Sequence, residues 1–264
     1  MVAQTIALPN IRKLFKPDTG CIIFDVDLDR ADAQVVAWEA DDEELKCAFR
    51  EGVDIHSLNA ETLQCSRHQA KQGVHATNYG ATARAVAMAL GITVHQAENF
   101  QSRWFQAHPG ILDWHKRIEH SLQTTRTVWN RFGYRRFYFD RVDGLLPEGL
   151  AWIPQSTVAC VINRGLANID DYLPGVQVLL QVHDSLVMQS KIEDFIRLLP
   201  EIKKNLLIPI PYDDPLTIGV GIKASVVSWG DYKDIDWDGN PTNDNGEVIP
   251  ITQELIRHLP YLAA

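Results

Sequence analysis

Three groups of residues in this sequence have the types and spacing that chemistry requires. The first is Asp25-Val26-Asp27-Leu28-Asp29, with a carboxylate at every second position. In extended backbone alternate side chains share a face, so all three would project from one side of a strand. An apolar run, Cys21-Ile22-Ile23-Phe24, leads into them. A carboxylate at the end of such a buried strand is costly unless it is hydrogen-bonded, paired or bound to a metal. Three acids there repel one another, which a divalent cation relieves; capping of the next helix by one or two of them is the plainer alternative. The second group centres on Asp184 in VLLQVHDSLVM, an acid at the turn joining two apolar runs. If the two sites met on neighbouring strands, Asp27 and Asp184 could hold a pair of Mg²⁺ ions roughly 3.5–4 Å apart. Magnesium prefers oxygen ligands and keeps waters, so few protein ligands suffice. Such a pair activates an attacking hydroxyl and stabilises a leaving pyrophosphate. The third group is Arg67, Lys71, His75 and Tyr79, recurring every four residues. On a helix they line one slowly drifting face. Two cations, an imidazole and an aromatic on one face suit a triphosphate, a sugar and a base, although any single pair at that spacing is equally an ordinary surface feature.

The elements that must position these groups follow from the hydrophobic pattern. CIIFDVD, bounded by Pro17-Asp18-Thr19-Gly20, reads as a buried strand ending in acids. Residues 31–51 read as helical, and 58–125 as three or so helices broken at Gly91 and Pro109-Gly110. VWNRFGYRRFYF reads as a short hairpin around Gly133. A helix over 154–168 precedes a strand-turn-strand, QVLLQVHDSLVMQS. An amphipathic helix over 191–206 and a strand, LTIGVGIKAS, follow; a polar linker and a short helix close the chain. The expected fold is α+β: an antiparallel sheet with flanking helices, interrupted by an all-helical insertion.

Composition narrows the class. The 264 residues are 45% hydrophobic and 22% charged, which excludes a disordered chain and accommodates one large or two small domains. The apolar runs are too short to cross a bilayer. MVAQTIALPNIRK has no basic segment ahead of an apolar core, so no export signal is expected. Cys21, Cys47, Cys65 and Cys160 form no C-x-x-C pair, which suits reduced thiols in a cytoplasmic setting. The net charge of −9 is unevenly distributed. Residues 67–136 carry ten Lys or Arg and three acids, giving +7 and leaving −16 elsewhere. A polyanion would meet that middle segment only.

Taken in order, these groups resemble the family A, DNA polymerase I-like, DNA polymerases. Motif A is similar to residues 25–56, motif B to Arg67-x3-Lys71-x7-Tyr79-Gly80, and motif C to QVHDSLV at 181–187. IRxxF at 11–15, HPGILDW at 108–114, PQST at 154–157 and SWGD at 228–231 support the match. The resemblance implies a palm over 1–55 and 126–231, helical fingers over 56–125, and a C-terminal extension over 232–264. Its implied activity adds a deoxynucleotide to a primer 3′-hydroxyl with release of pyrophosphate. Asp27 and Asp184 would be the metal-binding aspartates, holding two Mg²⁺ (or Mn²⁺) ions with the Leu28 carbonyl completing the shell. Arg67, Lys71 and His56 would contact the triphosphate, with Lys71 a candidate proton donor to pyrophosphate. Tyr79 would stack near the templating pair, His183 would contact the primer terminus, and Gln155 the minor groove of the primer-template.

Four departures carry expectations of their own. His75 stands where the family has Phe or Tyr against the incoming sugar, and could donate a hydrogen bond there. Asp32 stands where the family closes the pocket against a 2′-hydroxyl with Glu; one methylene shorter, it implies weaker exclusion of ribonucleotides. Ser185 replaces the Glu of His-Asp-Glu, as in single-subunit phage-type RNA polymerases. Pro147 and Ala151 replace the Arg and Asn that accompany Gln155, implying a weaker grip on primer-template. Motif A begins close to Met1, so thumb and exonuclease domains would come from a separate polypeptide, or the chain would be a fragment or a short viral or mobile-element enzyme acting in host cytoplasm. RNA or primer synthesis on the same palm, and a nucleic-acid-binding remnant, are the alternatives. No membrane partner is expected.

Overall fold

The computed structural model describes residues 9–139 and 143–263. Residues 1–8, most of the 1–13 segment on which the absence of an export signal was read, lie outside the described residues. In chain order the elements begin with β1 (Cys21–Leu28), α1 (Ala31–Glu39), α2 (Glu43–Arg50), α3 (Ile55–Leu63), α4 (Arg67–Asn78) and α5 (Ala83–Leu90). Then come α6 (Val94–Ala107), α7 (Pro109–Thr124), β2 (Thr127–Trp129), β3 (Arg135–Phe137) and α8 (Leu146–Tyr172). β4 (Val176–Val182), β5 (Ser185–Lys191), α9 (Ile192–Leu206), β6 (Pro209–Ile210) and β7 (Leu216–Thr217) follow, and β8 (Val220–Ser225), β9 (Lys233–Ile235) and α10 (Gln253–His258) complete the set. Two compact units result. One comprises Met1–Asp29, Val161–Ile208 and Thr217–Ala264; the other comprises Arg30–Cys160 and Pro209–Leu216.

The first unit is built on a five-stranded antiparallel sheet of order β4-β5-β1-β8-β9. β1 is its central strand, and its composition explains why. Ile22, Ile23 and Phe24 are buried on both faces, as a continuous apolar run requires, whereas from Asp25 onward only Val26 and Leu28 are buried. The strand therefore changes from fully covered to one-sided half-way along. Phe24 meets Phe195 of α9 at 5.2 Å, and the buried Leu199 and Ile202 continue that helix face. The expected single strand LTIGVGIKAS is two, β7 and β8, separated at Ile218-Gly219.

The second unit is mainly helical. Its middle section holds five helices, α3 to α7, rather than the expected three. The two extra boundaries lie at Gln64, whose φ of +55° ends α3, and at Gly80, whose φ of +71° follows α4. Ser66 with Gln69 and Thr93 with Gln96 form reciprocal capping boxes that start α4 and α6. Both are legible in the sequence as Ser or Thr followed three residues later by Gln. Gly91, at φ +66°, ends α5, and Pro109 opens α7 at the position where a missing N–H costs nothing. Gly110 is fixed by proximity: a Cβ there would lie 2.3 Å from the Ala40 carbonyl oxygen. Trp104 and Trp114 are fully buried, and the Trp104 Nε1–H donates to Asn78 Oδ1 at 2.7 Å. The α8 helix is longer than the expected 154–168 and carries Pro154 inside it.

Asp42 joins two of these helices. Its Oδ1 accepts from the Leu45 amide at 2.9 Å, capping α2, and its Oδ2 lies 2.9 Å from His108 Nδ1. Burial alone would raise the Asp42 pKa, but the His108 and Leu45 hydrogen bonds outweigh it and hold the carboxyl below its ordinary value. Asp42→Ala removes the cap and leaves buried His108 without its partner. A loss of about 2–4 kcal/mol is expected in urea denaturation, and Asp42→Asn, which keeps a capping oxygen, should recover part of it.

Candidate active site

The one-sided end of β1 places the first group of acids. Asp27 pairs across to Ser185 of β5 and to Gly221 of β8. The Leu28 amide donates to the Asp184 carbonyl at 3.1 Å, and the Asp29 amide to the Gly219 carbonyl at 2.8 Å. Asp184 reaches this end because β4 and β5 form a hairpin closed by Val182↔Ser185, with only His183 and Asp184 in the connection. His183 takes φ +55°, a left-handed conformation uncommon for a residue with a side chain. The Ser185 hydroxyl donates to the Val182 carbonyl at 3.1 Å and fastens the turn.

Asp25, Asp27, Asp29, His183 and Asp184 line one cavity of about 590 Å³. Asp27 still meets solvent there, yet partial desolvation, reinforced by the like charges of Asp184 and Asp25, pushes its pKa up to about 6. Lys223 acts in the opposite direction. Asp25 sits deeper, and burial raises its pKa as well. Its Oδ2 accepts from the Trp229 indole at 3.2 Å, and its Oδ1 is buried with no hydrogen-bond partner. Along one sheet row Asp25 faces Lys223, which faces Asp234, and the Lys223 Nζ lies 3.0 Å from Asp234 Oδ1. Sequence reasoning missed Lys223, Tyr232 and Asp234, and gave Arg12 and Trp229 no role, although all five line the cavity. A lone Lys in an apolar strand was the available signal for Lys223; the register that sets it opposite Asp25 has none.

Among the described residues no group of three or more His, Cys, Asp or Glu side chains is placed to hold a metal ion. The chemistry of the donors at this strand end nevertheless fits a hard cation. Asp27 and Asp184 are oxygen donors, and their mutual repulsion is what a cation relieves.

The second unit carries the remaining candidates. Arg67, Lys71 and His75 are exposed along one face of α4, and Tyr79 caps its C-terminus. The His75 and Tyr79 rings meet edge to face at 4.6 Å. Arg67 is held by Asp54 through Nε at 2.8 Å and Nη2 at 3.2 Å. That guanidinium, with the Ser57 hydroxyl, holds the Asp54 carboxyl well below the usual range. His56 lies beside this pair. Burial first, then the charges of Lys71 and Arg67, lower its pKa, and its Nδ1 is buried without a partner. Tyr79 is raised by burial and by neighbouring Asp32. His56, Arg67 and Lys71 thus come together, as do Asp32, Tyr79 and His75. Gln155 stands exposed on α8.

The model of DNA polymerase family A matches residues 3–226. The chain belongs to DNA polymerase family A. Its curated relatives include the thermostable DNA polymerase I of Thermus filiformis, 32% identical over 81% of this chain and 28% of that protein. DNA polymerase I of Deinococcus radiodurans is 29% identical over 85% of this chain and 25% of its own length. This family A chain therefore spans about a quarter of the length of these relatives. Among solved structures, the POL domain of Pol1 from M. smegmatis, in complex with DNA primer-template and dNTP, superposes with a TM-score of 0.73. It is 21% identical and covers 86% of this chain and 44% of that one, a likeness of fold. The α+β architecture expected from the sequence is the one observed.

Trp229→Phe removes the indole donor to Asp25 while keeping an aromatic. Asp25, already short of partners, then loses another, and a stability loss of about 1–3 kcal/mol is expected. Thermal or urea denaturation of the variant measures it, and an unchanged midpoint would show that the bond to Asp25 contributes nothing.

Proposed function

We propose that this chain is the catalytic portion of a template-directed DNA polymerase that extends a primer 3′-hydroxyl and releases pyrophosphate. The observation that carries the reading is the meeting of Asp27 and Asp184 at adjacent strand ends in a family A chain. In this reading residues 1–55 and 126–231 are palm, 56–125 fingers and 232–264 an extension. Primer-template DNA and dNTPs are the ligands, and a separate polypeptide carrying thumb and exonuclease is a candidate partner. Four free cysteines support a cytoplasmic setting. Among the described residues no helix is long and apolar enough to cross a membrane.

Asp27 and Asp184, with the Leu28 carbonyl, would hold two Mg²⁺ ions. When bound, the ions supply charge neutralisation and activation of the attacking hydroxyl. The chain's own residues position the rest, as phosphoryl transfer demands. Arg67 and Lys71 offer cations to the triphosphate, and Lys71 is the candidate donor of a proton to pyrophosphate. His56, whose pKa is lowered by burial and by Lys71 and Arg67, would offer a ring N–H to a phosphate oxygen. His75 and Tyr79 present rings to the sugar and base, with Asp32 beside the Tyr79 hydroxyl. His183 and Gln155 would contact the primer terminus and the minor groove.

Primer extension on a defined template with Mg²⁺ tests the proposal. Asp27→Asn and Asp184→Asn should each lower the rate by at least about 10²-fold, the loss typical of one preorganised electrostatic group. Full activity in either variant would refute the assignment. Discrimination between dNTP and rNTP should be weak in the parent. Asp32→Glu, restoring one methylene, should raise it by about tenfold or more; steady-state kcat/KM ratios for matched nucleotides give the comparison.

A further inference from the structure

The β2–β3 hairpin has an outer face that the site described above does not use. Residues 120–139 contain four arginines, Arg126, Arg131, Arg135 and Arg136, and no acid, in a chain of net charge −9. The ladder sets Thr127 opposite Phe137 and Trp129 opposite Arg135. Strand alternation therefore gathers Thr127, Trp129, Arg135 and Phe137 on one face, and Val128 and Arg136 on the other. The inner face is committed: Val128 and Tyr138 are buried, and Arg136 pairs with Glu148 while lying 4.9 Å from the Tyr138 ring.

The outer face is not covered. Trp129 is 55% exposed, Phe137 48%, and Phe139, which follows the strand, 85%. Arg135 lies over the Trp129 ring at 5.5 Å, and Phe137 meets Phe139 edge to face at 4.9 Å. Arg135 has no carboxylate partner among the described residues, whereas Arg131 is bound to Glu39. Three exposed aromatics beside a cation are expensive to leave in water, and such patches mark interaction sites. The hairpin is held rigid from behind. Buried Asn130 accepts from the Phe132 and Tyr134 amides at 3.1 and 3.0 Å, and Gly133 turns at φ +82°.

We propose that this face is a stacking platform for single-stranded nucleic acid. Trp129, Phe137 and Phe139 offer π-faces to unpaired bases, and Arg135 meets the backbone. Charge complementarity selects the occupant, since Arg135 stands among the aromatics with no carboxylate partner among the described residues, and an unneutralised cation there favours a polyanion. The aromatic faces select the single strand, because the bases of a duplex are already stacked on one another and unavailable. Only the identity of the strand, the unpaired template ahead of the primer terminus, rests on the polymerase reading.

Fluorescence anisotropy of a short labelled oligothymidylate, titrated with the full chain at low salt, tests the platform without catalysis. Trp129→Ala and Phe139→Ala should each weaken binding by about fivefold to a hundredfold, while Trp129→Phe, which keeps a ring, retains most of it. Arg135→Ala should weaken binding and reduce the slope of log K against log salt by about one. Circular dichroism checks that these exposed-site variants fold. Unchanged affinity in both alanine variants overturns the proposal, as does an equal loss on blunt duplex. Loss of self-association with unaltered oligonucleotide binding also overturns it, in favour of a protein partner. Primer extension by the parent is scored separately. Aromatic-dependent binding without extension supports the platform and shows that this chain does not polymerise unaided, whereas extension with unaltered binding in the variants removes the platform alone.

Discussion

The position of β1 at the centre of its sheet is the constraint from which the rest of the first unit follows. A strand flanked on both sides has no freedom to slip, because moving it by one residue would send Ile22, Phe24, Val26 and Leu28 to the opposite face. The alternation of buried Val26 and Leu28 with Asp25 and Asp27 fixes its register against β5 and β8, and that register delivers both acids to the open end. Repulsion among the acids is tolerated there because burial of the intervening Val26 and Leu28 determines where they must stand. The tight β4–β5 turn then adds Asp184 through a backbone hydrogen bond, so the meeting of the two carboxylates requires no attraction between them.

The helical unit is organised by different means. The candidate residues Arg67, Lys71 and His75 share one exposed helix face, and capping rather than strand pairing sets where that face begins. Ser66 and Gln69 determine that α4 starts at Arg67, so a shifted cap would rotate the whole row of Arg67, Lys71, His75 and Tyr79. Precision in one unit comes from a buried strand, and in the other from two polar side chains at a helix end.

Much of this was legible in the sequence, and the reasons differ by element. The β1 strand and the His183-Asp184 hairpin stood out because apolar runs bounded by turn residues have few other readings. The α4 row stood out because its spacing matches the helical repeat. Helix number was misjudged because Gln64 adopts a left-handed conformation that no composition rule flags, and because Gly80 follows a residue that still looks helical. The cross-strand row from Asp25 through Lys223 to Asp234 was invisible, since it depends on pairing between segments nearly two hundred positions apart. The β2–β3 hairpin was legible around Gly133, but which of its residues face water was not, and the buried Val128 shows it.

The Asp54–Arg67 pair has a consequence for what α4 can accept. An anion arriving at Arg67 finds a carboxylate already in place, so its affinity is the difference between two ion pairs rather than the strength of one. A small, weakly charged anion gains little by exchange, whereas a polyphosphate that also engages Lys71 and His56 gains from each. Asp54 is not stranded by the exchange, because it keeps the His56 amide and the Ser57 hydroxyl as donors. In the proposed reading the resting pair would act as a threshold, setting how much negative charge a ligand must carry before it displaces Asp54 from Arg67.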